Sequence, residues 1–315
     1  MHFNLATVSE AVCDVVPDRE AIIFKDRRIT YETLRNRSRR FANLLLDRGL
    51  GIRTPRDQLQ DWESGQDHLG IYLYNGNEYL EGMLGAFKAR LAPFNINYRY
   101  VDEELVYLLN NAQTRVLLYH SSLADRVRKI RDRVPSMELL VQVADDESDL
   151  LTGALDYETA LSESDESRPV AEWNPDDLYI LYTGGTTGMP KGVLWRQSDV
   201  LIATLGGRRA NGHILESLDE YVERARGMGR KSLPAPPFMH GAGHWNALQM
   251  LNAGGTVVIQ DDVFRFDPKN VLEIITREQV TTLLIVGDAF GRPLADELAN
   301  HPHDVSSLRN IITGG

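Results

Sequence analysis

One stretch of the sequence joins a glycine- and threonine-rich turn to a lysine. An apolar run at 178–182 is followed by six residues, 183–188, that are all glycine or threonine, and then by Met189 and Pro190-Lys191-Gly192. Glycine lets the backbone turn tightly and bring its N–H groups against a ligand, and successive N–H groups form a nest for anions. Threonine hydroxyls and a lysine ammonium add further donors. The pattern predicts a phosphate-binding loop after a buried strand. Its predicted phosphate ligands are Thr183, Gly184, Gly185, Thr186, Thr187, Gly188 and Lys191.

The residues alone allow two other interpretations of this stretch. A surface turn that happens to be rich in glycine and threonine is the plainer one. A P-loop is the other, and it requires glycine, four residues, and then Gly-Lys followed by serine or threonine at the start of a helix. Here Pro190 precedes Lys191 and Gly192 follows it, so no hydroxyl is placed for a metal and the helix entry is wrong.

The stretch at 182–192 resembles the signature loop of the adenylate-forming superfamily, which includes acyl-CoA synthetases, luciferases and the adenylation domains of peptide synthetases. The usual pattern there is Tyr-Thr-Ser-Gly-Thr-Thr-Gly-x-Pro-Lys-Gly, and Gly184 stands where serine is usual. The change removes one hydroxyl donor but keeps the backbone N–H, so it bears on how tightly ATP is held. The glycine form is similar to acyl-CoA synthetases that act on sterol side chains.

A second stretch, 234–245, places a histidine among prolines and glycines. Taken alone, it indicates a loop packed on a core helix, with His240 as a buried imidazole whose hydrogen bonds are satisfied. His240 and His244 are four residues apart, which suggests zinc, but no glutamate lies between them and no third ligand is apparent. In the resembled family, a histidine followed by glycine lies here between the phosphates and the acyl pocket. The resemblance therefore implies a catalytic role for His240.

The resemblance also implies binding positions further along the chain. In the family, the loop after the strand at 281–286 borders the acyl pocket, although Asp288 could equally cap a helix. The apolar residues that follow His240 are expected to wall the same pocket, and a Gly-Gly pair after the last strand opens the loop against adenine. The implied positions are Gly241, Trp245, Gly287 and Asp288 for the acyl pocket, and Gly314 and Gly315 for adenine.

Composition sets outer limits on the kind of protein. The chain has 315 residues, of which 43% are hydrophobic and 25% charged, as in ordinary soluble globular proteins. Its net charge of −11 argues against a general nucleic-acid binder and means that a triphosphate needs local donors and a bound cation. One cysteine excludes an internal disulfide. No apolar run approaches the roughly 20 residues of a spanning helix, and the start is not typical of a signal peptide, so we expect a cytoplasmic protein.

Strand and helix patterns alternate along most of the chain, which predicts parallel α/β organisation. The acidic, serine-containing segment 144–177 is interpreted as a linker, which predicts one α/β subdomain at 1–172 and a second at 173–315. Three further segments are expected at the surface. They are a helix face with Arg35, Arg37, Arg39 and Arg40, an extended loop at 51–68, and a helix-containing excursion at 206–232.

The resemblance implies the large N-terminal domain of the acyl-CoA synthetase-like fold, with two parallel-sheet α/β subdomains. The family's Tyr-Gly-x-Thr-Glu motif, ribose-binding aspartate, hinge and small C-terminal domain have no counterpart in these residues, so we expect this domain to be incomplete.

The implied reaction has two steps, in which a carboxylate and Mg-ATP give an acyl-adenylate and the thiol of CoA then takes the acyl group. ATP, Mg²⁺ and CoA are the implied cofactors, and a fatty or sterol-derived acid is the implied substrate. Loading of a carrier protein stays open, as does homo-oligomerisation. We expect residues 1–315 in isolation to be a fragment without activity that either binds nucleotide or is merely structural.

Overall fold

The computed structural model describes residues 3–145, 149–184 and 188–314. Strands and helices alternate along these residues, as the sequence pattern predicts. The strands are β1 (Glu20–Phe24), β2 (Arg27–Thr30), β3 (His68–Tyr72), β4 (Ala92–Asn95), β5 (Thr114–His120), β6 (Leu139–Val143), β7 (Leu155–Asp156), β8 (Leu178–Thr183), β9 (Lys191–Arg196), β10 (Lys231–Pro234), β11 (Thr256–Ile259), β12 (Thr282–Ile285) and β13 (Asn310–Thr313). The helices are α1 (Leu5–Val15), α2 (Tyr31–Asp47), α3 (Asn77–Lys88), α4 (Asp102–Asn111), α5 (Ala124–Ile130), α6 (Tyr157–Glu163), α7 (Gln197–Ala203), α8 (Leu218–Arg226), α9 (Gly241–Asn252), α10 (Pro268–Glu278) and α11 (Gly287–Asn300).

The strands form two mainly parallel sheets. The seven-stranded sheet has the order β7-β6-β5-β3-β4-β8-β9, and its β8–β9 pair is antiparallel. The six-stranded sheet has the order β13-β12-β10-β11-β1-β2, and its β1–β2 pair is antiparallel. The other neighbouring strands in both sheets run parallel. The predicted α/β fold with two parallel-sheet subdomains is confirmed, with one antiparallel pair at an edge of each sheet.

Each sheet takes strands from both sides of the predicted 172/173 boundary. The N-terminal strand β1 pairs in parallel with β11, with Ile22 opposite Val257. Strand β8 joins the first sheet through β4, with Ile180 opposite Phe94. The boundary therefore does not separate the two sheets, because hydrogen bonding between distant strands decides sheet membership. How the chain divides into independently folding units stays a prediction.

Local capping signals in the sequence place the helix ends correctly. Helix α2 begins after Thr30, whose hydroxyl accepts a hydrogen bond from the N–H of Thr33 at 3.1 Å. Its C-terminal end is followed by Gly49, whose φ of +72° suits glycine. Helix α10 begins after Asp267, whose carboxylate accepts from the N–H of Lys269 at 3.0 Å. Residues that cap a helix or adopt a positive φ therefore predict where these helices begin and end.

The expectation that the arginines of α2 form a solvated face is wrong. Arg37 is bound by two carboxylates, Glu81 at 2.9 Å and Glu158 at 2.6 Å. Arg39 pairs with Glu10, which is buried and also binds the buried ammonium of Lys88 at 2.6 Å. These acids belong to α1, α3 and α6, so the periodicity of α2 alone cannot reveal them.

The predicted linker at 144–177 and the predicted surface excursion at 206–232 both contribute residues to the folded interior. Within the acidic segment, β7 pairs with β6, and α6 buries Tyr157, whose hydroxyl donates to Glu81 at 2.8 Å. In the 206–232 excursion, α8 forms as expected but buries Tyr221 and Ala225. A few apolar residues in an otherwise polar segment were enough to anchor each helix. Among the described helices, none is both long and apolar enough to pass through a lipid bilayer.

Candidate active site

The predicted phosphate loop is the connection of an antiparallel hairpin. Strand β8 ends at Thr183 and β9 begins at Lys191, and these two residues lie opposite each other. The predicted ligands Gly185, Thr186 and Thr187 lie outside the described residues. Thr183, Gly184, Gly188 and Lys191 are exposed, and a Cβ added at Gly184 or Gly188 would meet nothing within 4 Å. The described ends of the loop are therefore open to a ligand.

Lys191 supplies positive charge at the second end of this loop. Within residues 3–145, 149–184 and 188–314, its ammonium forms no ion pair with an acidic side chain. This contrasts with Lys88, which is held by Glu10 in the interior. The charge of Lys191 is thus available to an anion at the loop.

Asn95, the last residue of β4, connects the base of the loop to the second predicted site. Its Oδ1 accepts from the N–H of Tyr182 at 2.9 Å, and its Nδ2 donates to the carbonyl of the same residue at 2.9 Å. The same Nδ2 donates to the carbonyl of Met239 at 2.7 Å. Tyr182 and Met239 directly precede Thr183 and His240. Asn95 therefore contacts the backbone next to both sites, a role that the sequence interpretation missed.

A second asparagine, Asn75, follows β3 and holds the same proline-rich segment. Its Oδ1 accepts from the N–H of Phe238 at 2.6 Å, and its Nδ2 donates to the carbonyl of Pro236 at 3.5 Å. Strands β3 and β4 are parallel neighbours, so their carboxyl ends lie at one edge of the sheet. Ligands of open α/β sheets bind beyond that edge. Polar residues at the ends of two adjacent strands were the signal that could have found both asparagines.

His240 lies at the N-terminal end of α9 with an exposed side chain that forms no capping hydrogen bond. Partial burial of its ring and the nearby positive charge of Arg99 lower its pKa. The imidazole is therefore neutral at pH 7 and has one donor and one acceptor nitrogen. The residue-based expectation of a buried, satisfied imidazole is wrong for His240, because the helix starts there and leaves the ring at the surface.

His244, one turn further along α9, is the buried histidine of this segment. Its Nδ1–H donates to the carbonyl of Phe238 at 2.6 Å, and its Nε2 accepts from the hydroxyl of Tyr179 at 2.5 Å. The oxygen of Tyr179 in turn accepts from Nε1 of Trp245 at 2.9 Å. Burial lowers the pKa of His244 to about 4. Both ring nitrogens of His244 are engaged in these hydrogen bonds. Among the described residues, the structure has no group of three or more His, Cys, Asp or Glu side chains that could hold a metal ion.

Two of the implied acyl-pocket residues, Gly241 and Trp245, lie together beside β8. A Cβ at Gly241 would lie 3.4 Å from the side chain of Leu181 and 3.7 Å from the indole of Trp245. Trp245 also packs edge-on against Trp195 of β9, with ring centroids 6.2 Å apart. The phosphate-loop hairpin and the start of α9 therefore share one apolar contact surface.

The other implied positions lie at the carboxyl ends of β12 and β13. Gly287 begins α11 with a φ of +57°, and its N–H donates to the hydroxyl of Thr313 at 3.2 Å. This bond brings Gly287 next to Gly314, which is exposed and open, while Gly315 lies outside the described residues. Asp288 is in the first turn of α11 rather than at the capping position, which is Val286, and its exposed carboxylate lies 3.5 Å from Arg292. A pocket role for Gly287 and Asp288 stays a prediction.

A cavity of about 700 Å³ lies at the opposite end of β8 from the phosphate loop. It is lined by the 52–66 loop, by Arg90, and by residues 176–178 at the start of the strand. Arg90 is bound to Asp177 at 2.8 Å, so its charge is already neutralised. This cavity therefore belongs to the surface loop at 51–68 and not to the candidate active site.

Two mainly parallel sheets, a hairpin loop whose described ends are open, and an exposed histidine at the start of α9 characterise this α/β protein. The chain belongs to the AMP-binding enzyme family, whose profile matches residues 9–315.

Two relatives are CoA ligases by name. The chain is 46% identical over 316 residues to the medium-chain acyl-CoA ligase Mig of Mycobacterium avium, covering 99% of this chain and 58% of that protein. It is 34% identical over 318 residues to a 3-oxocholest-4-en-26-oate–CoA ligase of Rhodococcus rhodochrous, covering 98% of this chain and 54% of that protein. The chain thus spans a little over half the length of these curated relatives.

Solved structures confirm the fold. The N-terminal domain of FACL13 from Mycobacterium tuberculosis superposes with a TM-score of 0.78 at 22% identity, covering 100% of this chain and 70% of that one. The anthranilate CoA ligase AuaEII in complex with anthranoyl-AMP gives a TM-score of 0.76 at 19% identity, covering 99% and 55%.

Proposed function

We propose that the protein containing this chain activates a carboxylic acid with ATP and transfers the acyl group to CoA. One observation carries the proposal. The loop before Lys191, whose described ends are open, is joined to the His240 segment through the side chain of Asn95. This arrangement supports the proposal, because the loop proposed to bind phosphate and the segment before the neutral imidazole are held by the same side chain. The names of the two relatives, both CoA ligases, agree with this reaction.

The loop is proposed to hold the β- and γ-phosphates of ATP. Lys191 would supply the charge, and the loop N–H and hydroxyl groups would supply donors, each charged hydrogen bond contributing about 1.5–3 kcal/mol. With a net charge of −11, the chain repels a free triphosphate, so Mg²⁺ is expected to arrive as its counterion. The described loop residues carry no carboxylate and therefore fit phosphate oxygens, and we assign them no metal-dependent step.

His240 is proposed to lie where the acid meets the α-phosphate. Attack of the carboxylate on that phosphorus expels pyrophosphate and leaves an acyl-adenylate. The step depends on alignment of the two reactants and on local neutralisation of charge. Because the pKa of His240 is lowered, its ring stays uncharged at neutral pH. A neutral imidazole can donate one hydrogen bond to a reacting oxygen without adding another titratable charge.

The acid is proposed to be a fatty or sterol-derived acid whose apolar part lies against α9. Trp245 and Gly241 form an apolar surface with Leu181 at the base of the loop. Each buried CH₂ contributes roughly 0.8 kcal/mol to binding, so a long chain would gain substantially here. The relatives are named for medium-chain and 3-oxocholestenoate substrates. CoA is the proposed acceptor, and the cytoplasm is the proposed location.

The test is acid-dependent exchange between ATP and labelled pyrophosphate, measured on the full-length protein with medium-chain and sterol acids. We expect Lys191→Ala to lower the exchange rate by at least about tenfold, the factor that corresponds to one charged hydrogen bond. Lys129→Ala is the matched control, because it removes an exposed positive charge from α5 and should leave exchange unchanged. Wild-type exchange in Lys191→Ala would contradict the proposed loop function.

A further inference from the structure

The side chain of Asn95 replaces part of the backbone ladder between two strands. Strands β4 and β8 share a single ladder pair, Phe94 with Ile180. One residue beyond that pair, the Asn95 amide binds both the N–H and the carbonyl of Tyr182 at 2.9 Å. The connection between β4 and the base of the phosphate loop therefore depends on this side chain at the point where regular strand pairing stops.

The same amide extends to the other half of the site. Its Nδ2 donates to the carbonyl of Met239 at 2.7 Å, and Asn95 is only 4% exposed. An amide supplies two donor hydrogens and an acceptor oxygen, which matches the two carbonyls and one N–H that Asn95 contacts. Aspartate has the same shape but no donor hydrogen when ionised, so it would lose both carbonyl contacts. The contacts thus specify asparagine by chemistry as well as by size.

Both bonded residues directly precede a functional position. Tyr182 precedes Thr183, where the loop leaves β8, and Met239 precedes His240. Asn75 independently binds the segment before His240 through Phe238 at 2.6 Å, but its hydrogen bonds do not include the loop. In the part of the chain that the structure describes, Asn95 thus has hydrogen bonds that reach the backbone next to both elements.

We propose that Asn95 is a positioning residue that keeps the phosphate loop and His240 in a fixed mutual arrangement for the adenylation step. This inference rests on the proposed function. Asn95 does not contact the reactants in this scheme and acts through the backbone at Tyr182 and Met239. A misplacement of about 1 Å between reacting groups can cost about 100-fold in rate. The expected signature is therefore a loss of kcat without a comparable loss of substrate binding.

The experiment measures ATP–pyrophosphate exchange and melting temperature for full-length wild-type protein, Asn95→Asp and Asn95→Leu. Leucine is an uncharged replacement of similar size. A loss of activity that both variants share is therefore not caused by the buried charge of the aspartate variant. The matched control is Asn110→Asp, because Asn110 also donates from Nδ2 to two backbone carbonyls, Val106 at 2.9 Å and Arg133 at 3.0 Å. That pair of bonds lies at the end of α4 and does not involve the loop or His240.

We expect kcat to fall by at least about tenfold in both Asn95 variants, while KM for ATP and for the acid each changes by less than about threefold. Asn110→Asp should keep the wild-type kcat. If the folded Asn95 variants differ only in melting temperature, Asn95 is merely structural and the proposal fails. It also fails if KM rises while kcat is unchanged.

A ligand-free measurement separates this inference from the proposed function. Amide hydrogen exchange should be faster at Tyr182 and His240 in Asn95→Leu than in wild type, because the bonds that anchor these segments are gone. If wild-type protein shows no pyrophosphate exchange with any acid, the proposed function fails. Amide hydrogen exchange then still tests whether Asn95 anchors the segments at Tyr182 and His240. Unchanged protection at both amides would overturn the anchoring role of Asn95.

Discussion

Mild acid should destabilise the protein through His244. Its Nδ1–H donates to the carbonyl of Phe238, and its Nε2 accepts from the hydroxyl of Tyr179, so the folded state fits the neutral ring. His244 is fully buried, and burial lowers its pKa to about 4. Protonation would put a charge in the interior with no acidic partner among its hydrogen-bonded neighbours.

The size of the effect follows from the two pKa values. The unfolded chain protonates this histidine near its ordinary pKa of about 6.5, whereas the folded chain does so only near 4. The unfolded state therefore binds more protons between these values. The stability is fully present above pH 6.5 and is lost as the pH falls towards 4. At about 1.36 kcal/mol per pH unit, the loss between pH 7.5 and pH 4.5 is about 2.5 kcal/mol.

The assay is urea unfolding of wild type and His244→Gln at pH 7.5 and pH 4.5. Glutamine is not protonated in this range, so the free energy of unfolding of the variant lacks the His244 contribution. Other titrating groups are common to both proteins and cancel in the difference. We expect the advantage of wild type over the variant to shrink by about 2.5 kcal/mol at the lower pH. A difference that does not depend on pH, or an NMR titration of His244 near pH 6.5, would refute the reasoning.

Three further outcomes are expected. Arg99→Gln should raise the pKa of His240, because the substitution removes a nearby positive charge. The measurement is NMR titration of the imidazole, and an unchanged pKa would show that Arg99 has no influence. Gly184→Ser should tighten Mg-ATP binding by about tenfold, since it adds a hydroxyl donor at an open position of the proposed phosphate loop. An unchanged affinity in calorimetric titration would argue against phosphate at this end of the loop. Lys88→Met should lower the free energy of unfolding by about 3 kcal/mol, because it breaks the buried pair with Glu10; a loss below about 1 kcal/mol in urea unfolding would mean that Arg39 alone satisfies Glu10.

Local chemistry made much of the fold predictable. Thr30 and Asp267 have side chains that bind their own helix backbone, so their capping roles could be inferred from the sequence. The turn after β8 is predictable for a similar reason, because glycines after an apolar strand favour a tight connection; its binding of phosphate stays a prediction. The structure places its described ends in an exposed hairpin, as expected.

Features that depend on distant partners could not be predicted. The arginines of α2 look solvated in a helical pattern, yet Arg39 binds Glu10 from another helix. On the residues alone His240 is expected to be buried, yet His240 is exposed and His244 is the buried histidine, because the position of the helix start decides which ring faces solvent. Asn95 was missed for the same reason, since both of its partners lie more than 80 residues away in sequence. Hydrogen bonds between residues far apart in the sequence leave no periodic pattern in it.

The pairing of β1 with β11 has a consequence for how the chain is made. Ile22 lies opposite Val257, so the ribosome must add more than two hundred residues before this strand meets its partner. At roughly 5–20 residues per second, synthesis of that interval takes on the order of ten to fifty seconds. During that time the edge of β1 lacks its partner strand, although Ala21, Ile22 and Ile23 are buried in the folded chain. Early protection of this N-terminal hairpin, by a chaperone or by transient packing on α2, should therefore govern the yield of soluble protein.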